Sequence, residues 1–186
     1  MKFDYTRNPW TLISEEVKYE NPWIKLTEHK VLNPKGGDGI YGVVHFKHLA
    51  IGIVAMENEN LWLVGQYRFP LNQYSWEIPE GGGKHGVSPL ESAKRELLEE
   101  VGAEADYWEE IGRSHLSNSV SDELAILYLA KGLKYTTAEP EDTEELRARQ
   151  VSLLEAYEMV KQGEITDSMS IQAIQTLYIR KLEGHL

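Results

Sequence analysis

The sequence contains no cysteine, which excludes a disulfide framework, a thiolate nucleophile and a zinc–thiolate site. That absence fits a reducing compartment, and the chain is read as cytosolic. No stretch approaches the roughly 18 apolar residues of a spanning helix, and the opening residues lack the apolar core of a secretory leader, so no membrane segment is predicted. Basic residues are scarce, with 19 Lys and Arg against 30 Asp and Glu and a formal net charge of -11. Such a field opposes adsorption to DNA, RNA or anionic membranes. A small anionic substrate would need a local arginine patch or a bound metal. The six histidines show no spacing that suits a metal, and Ser117 and Ser119 lack any elbow motif for serine catalysis. Repeats and low-complexity segments are also missing.

What is present is an ordinary folding composition, 41% hydrophobic and 26% charged over 186 residues, consistent with one domain spanning 1–186 and a full core. Strands are predicted at Ile24 to Leu32, Ile40 to Phe46, Leu49 to Glu57, Leu61 to Tyr67 and Ser75 to Ile78, followed by a loop containing Gly81, Gly82 and Gly83. A helix then starts at Ser88 and Pro89, where Ser88 and Glu91 form a capping-box pattern, and stops at Gly102. Further strands lie around Tyr107 to Ile111 and Leu124 to Leu129, with an acidic loop from Glu139 to Glu145. A second capping box, Ser152 with Glu155, opens a helix ended by Gly163. The last helix starts near Asp167 and carries Ile171, Ile174, Leu177 and Tyr178 on one face. The expected fold class is α/β or α+β, a sheet sandwiched between helices.

In the helix from Pro89 to Val101, residues Leu90, Ala93, Leu97 and Val101 form one stripe that packs on a sheet. Glu96, Glu99 and Glu100 flank that stripe at i, i+3 and i+4. There they repel one another and meet the unfavourable end of the helix dipole. One reading is a solvated acidic face. The other is a set of hard oxygen ligands for Mg²⁺ or Mn²⁺, joined by carbonyl groups of the preceding glycine loop.

The stretch Gly81 to Val87, followed after seven residues by Arg95-Glu96-Leu97-Leu98-Glu99-Glu100-Val101-Gly102, resembles the Nudix box of the Nudix hydrolases, here residues 81–103. One glutamate of that pattern falls on Val87. Gly65 to Pro70, Trp76 to Gly81, the tail from Glu144 through Ile165 and the strand-rich extension 1–46 resemble the ADP-ribose pyrophosphatase branch. The resemblance implies metal-dependent hydrolysis of the pyrophosphate of ADP-ribose or a related nucleoside diphosphate sugar. It implies Glu96 and Glu100 as metal ligands, Glu99 as a further ligand with a catalytic role, and the Glu80 carbonyl as another. It also implies a general base in the acidic loop, matched to Glu144 with Glu141 and Glu145 as neighbours, and a homodimer paired through the extension. A GDP-sugar substrate and a catalytically weak ADP-ribose sensor are the alternatives.

Other residues complete the expected site. Arg68, at a strand end, suits a phosphate, and Gly82 belongs to the substrate loop. Trp10 and Trp23 resemble positions where the branch stacks adenine, although tryptophans also serve cores and interfaces. Glu77 either supports the metal site or is an exposed edge residue. Because the box arginine loses its glutamate at position 87, Glu91 is expected to hold Arg95 across one helical turn.

Overall fold

The computed structural model describes residues 6–137 and 146–186. The chain divides into two compact units, one comprising the residues up to Lys47 with His115–Glu123, the other His48–Ser114 with Leu124–Leu186. The first unit is a three-stranded antiparallel sheet of β1 (Thr11–Glu20), β2 (Ile24–Leu32) and β3 (Asp38–Phe46), in the order β1-β2-β3. Asp122 clips the 115–123 segment to β3: its carboxylate meets His45 Nδ1 at 2.6 Å and accepts the Phe46 amide at 3.1 Å.

The second unit is built on a seven-stranded mixed sheet. Its path is β10 (Arg147–Ser152), β5 (Asn60–Arg68), β4 (His48–Glu57), β9 (Leu124–Tyr135) and β8 (Ala103–His115), with β6 (Gln73–Glu77) paired to β5 and β7 (Glu80–Lys84) to β4. β4 runs parallel to β9 and antiparallel to β5 and β7. Ile51 to Met56 of β4 are all buried, because both faces of the strand are covered. On one face Ile51, Ile53, Ala55 and Val64 pack with Ala93, Leu97 and Val101 of α1 (Pro89–Val101). On the other, Gly52 lies against Leu127, Ile78 and Met169, the last from α3 (Ser168–Leu182). α2 (Leu153–Gln162) packs beside α3, where Tyr157 and Tyr178 stack at 3.9 Å. None of the described helices is long and apolar enough to cross a membrane.

Several expectations change. The glycine-rich loop is strand β7, Glu80–Lys84, because its glycines let a backbone lie flat beside β4 and under α1. The Ser88 side chain makes no cap bond, whereas Ser152 accepts from Glu155 N at 3.0 Å. β1 and β10 were not anticipated.

Candidate active site

The glycine at position 81 exists for a packing reason. A Cβ there would overlap the Glu96 carboxyl group, so β7 and the C-terminal half of α1 approach closely only because residue 81 has no side chain. Glu96 and Glu100 are accordingly buried, at 7% and 4% exposure, while Glu99 is partly exposed. A solvated acidic face is therefore ruled out for the first two. Glu80 N donates to Glu100 Oε2 at 3.0 Å, which ties the start of β7 to the end of α1.

Arg95 supplies the positive charge here. It donates to Glu99 Oε2 at 2.6 Å, to the Gly82 carbonyl at 3.0 Å and to Glu96 Oε1. Burial opposes its charge, but the Glu96 and Glu99 carboxylates outweigh that and hold the guanidinium above its ordinary value. The expected Glu91–Arg95 pair does not form. Glu91 turns outward to Lys94 at 2.8 Å, since Arg95 finds two carboxylates and a carbonyl on the inner side of the helix.

A second ionic group adjoins the first. Arg68 closes β5, and its side chain meets Glu77 of β6 and Glu80 of β7. Glu77 is 3% exposed, so it is not an exposed edge residue. Burial first, then the charges of Asp167 and Glu77, push the Glu80 carboxyl well above the usual range, and Arg68 counteracts them only in part. The Glu80 Oε2 atom is buried with no hydrogen-bond partner. Arg68, Glu77 and Glu80 line a cleft of about 360 Å³ with Ser75 and, across it, Thr166, Asp167 and Ser168. Asp167 was legible only as the approximate start of the last helix, which it caps by accepting from Ser170 N at 2.7 Å. Its place opposite β7 depends on how α3 crosses the sheet. A further cavity, of about 550 Å³, lies at the end of α1 and is lined by Glu99, Leu98 and Tyr135 among others.

Trp10 and Trp23 both belong to the first unit and are exposed, at 40% and 66%. Trp10 lies edge-on to Tyr41 at 5.4 Å, and the Trp23 amide donates to Asn21 Oδ1 at 2.9 Å. Gly82 is on β7, paired with Ala50. Glu144, with Glu141 and Glu145, lies outside the described residues.

Among the described residues, no three His, Asp or Glu side chains stand as a formed metal cage. The donor chemistry nonetheless fits a hard divalent cation: buried carboxylates, an orphaned Glu80 oxygen and a glycine that clears space for Glu96.

Comparison with known proteins places the chain in a family. Residues 46–171 match the family described as the NUDIX domain, and residues 10–44 match the nucleoside diphosphate sugar hydrolase N-terminal domain. The chain is 35% identical over 178 residues to a methanol dehydrogenase activator of Bacillus methanolicus, covering 94% of this chain and 95% of that one. It is 33% identical over 172 residues to an ADP-ribose pyrophosphatase of Mycobacterium tuberculosis, with 89% and 82% covered. A third relative, an ADP-ribose pyrophosphatase of Bacillus subtilis, is 30% identical over 135 residues, with 71% and 73% covered. The crystal structure of an ADP compounds hydrolase shares the fold, with a TM-score of 0.85 at 19% identity over 95% of this chain and 97% of that one. The family uses a divalent cation, and carboxylates of the kind that suit one are what α1 buries against β7; the chain belongs to the Nudix hydrolases.

Proposed function

We propose that the protein hydrolyses the pyrophosphate bond of ADP-ribose or a related nucleoside diphosphate sugar with the help of Mg²⁺ or Mn²⁺. The observation that carries this reading is the burial of Glu96 and Glu100 side by side on α1 against the backbone of β7, a concentration of negative charge that a bound divalent cation would offset. Glu96, Glu100, Glu99 and the Glu80 carbonyl would hold the metal. Such an ion lowers the pKa of bound water and offsets charge on a phosphate. Arg95 secures the Glu96 and Glu99 carboxylates, and Arg68 meets a phosphate from its strand end. Glu144 of the acidic loop is the proposed base. Trp10 and Trp23 are proposed to stack the adenine, with Gly82 lying along the substrate, and their exposure supports a role in binding. The homodimer and the cytosolic location remain part of the same proposal.

A panel of nucleoside diphosphate sugars with Mg²⁺ or Mn²⁺, read by coupled phosphate release, tests the reading. ADP-ribose is expected to be turned over, and Glu96→Gln and Glu100→Gln each to lower kcat by about 10² with unchanged circular dichroism. Wild-type protein that binds ADP-ribose in calorimetry yet hydrolyses nothing would replace hydrolysis with sensing. Faster turnover of a GDP-sugar would move the substrate.

A further inference from the structure

A guanidinium carries five N–H donors, and the use of each one at Arg68 can be followed. Nε donates to both oxygens of Glu77 at 3.0 Å, while Nη2 donates to Glu77 Oε2 at 2.5 Å and to Glu80 Oε1 at 2.6 Å. Nε and Nη2 are therefore saturated. Nη1 has no acceptor among the described residues, although Arg68 lines the 360 Å³ cleft and its side chain is 32% exposed. Glu77, for its part, is buried and receives hydrogen bonds from no side chain but Arg68 among the described residues. A side-on bidentate pair fixes the plane of the guanidinium as well as its position. The two residues are joined through neighbouring strands, since Arg68 pairs with Gln73 and Val64 with Glu77 in the β5–β6 register.

We propose that Glu77 is a positioning residue that turns the Nη1 edge of Arg68 into the cleft, where it donates to one phosphoryl oxygen of the substrate. This assignment rests on the proposed function. Because the Arg68 charge already faces Glu77, its contribution is a directed hydrogen bond in place of a free positive charge. A lysine at position 68 has no planar edge to be aimed and does not substitute. Glu80 supports the arrangement from the other end of the fork by holding the second hydrogen of Nη2.

The test is a double-mutant cycle of Glu77→Gln and Arg68→Ala, with KM and kcat for ADP-ribose and the melting temperature measured for each protein. Glu77→Gln is expected to raise KM about tenfold with kcat within about threefold, and to add nothing once Arg68 is alanine. Glu77→Asp should recover part of the lost KM, and it carries the cycle if the glutamine variant does not fold. Arg68→Lys should match Arg68→Ala. An unchanged KM in Glu77→Gln, or an equal rise with and without Arg68, overturns the positioning role while wild-type turnover leaves the proposed function standing. Wild-type protein without turnover on any nucleoside diphosphate sugar overturns both.

Discussion

Gly81 and Gly82 are adjacent on β7, yet a methyl group meets opposite surroundings at the two positions. At Gly81 it overlaps the Glu96 carboxyl group, and at Gly82 it makes ordinary contact with the His48 side chain at 3.6 Å. Neither glycine has a positive φ, so backbone strain does not separate them. Gly81→Ala is therefore expected to displace Glu96 and lower kcat at least about tenfold, whereas Gly82→Ala should leave stability within about 0.5 kcal/mol of wild type. Kinetics beside thermal melts of the two variants decide this, and equal behaviour would refute the close approach as the reason for the glycine. The run of glycines was legible in the sequence as a place where something comes near. Which glycine receives the neighbour was not, because that depends on the register of β7 against β4 and on the height of α1 above both. Arg95 teaches the same lesson: helical spacing made Glu91 a partner, but spacing carries no information about the two carboxylates and the Gly82 carbonyl on the inner side.

Helix α1 was read at its observed bounds, because Pro89 and Gly102 mark its ends and a 3.6-residue stripe fills the interval. Strands β2 to β5 were legible through apolar runs bounded by turn residues. β7 was not, since Gly81 to Gly83 have no side chains to alternate and only the partner strand makes them a strand. β1 escaped for another reason: all ten of its residues are exposed, so it lacks the one-sided burial that alternation reports. The two serine caps looked alike in sequence and differ in the fold. Ser152 caps α2 with its side chain and Ser88 does not cap α1. Ser152→Ala should cost about 1 kcal/mol, a fall in Tm of about 2–4 °C, while Ser88→Ala should be close to neutral. Calorimetric scans of both variants check the contrast, and comparable losses would mean that the Ser88 hydroxyl does bond at its helix end.

At the scale of the whole molecule, net charge and exposed apolar surface pull in opposite directions. β1 is the end strand of its sheet, and Leu12, Ile13, Val17 and Tyr19 along it are each at least half exposed. A ten-residue edge with unpaired backbone groups and apolar side chains invites a further strand. The partner proposed for it is a second copy of the chain, related by a two-fold axis so that the same surface is used twice. Doubling the charge of -11 brings two acidic molecules together, and their repulsion is screened over about 10 Å at 0.1 M salt and about 3 Å at 1 M. Association through β1 should accordingly tighten several-fold as sodium chloride rises from about 50 to about 500 mM, since apolar burial persists while repulsion fades. An interface held by ion pairs would weaken over the same range. Val17→Glu places a charge in the middle of the strand and should leave a monomer at concentrations where wild type is dimeric. Sedimentation equilibrium at both salt concentrations reads the outcome: a wild-type monomer throughout, or a Val17→Glu dimer of unchanged affinity, would remove β1 as the dimer contact.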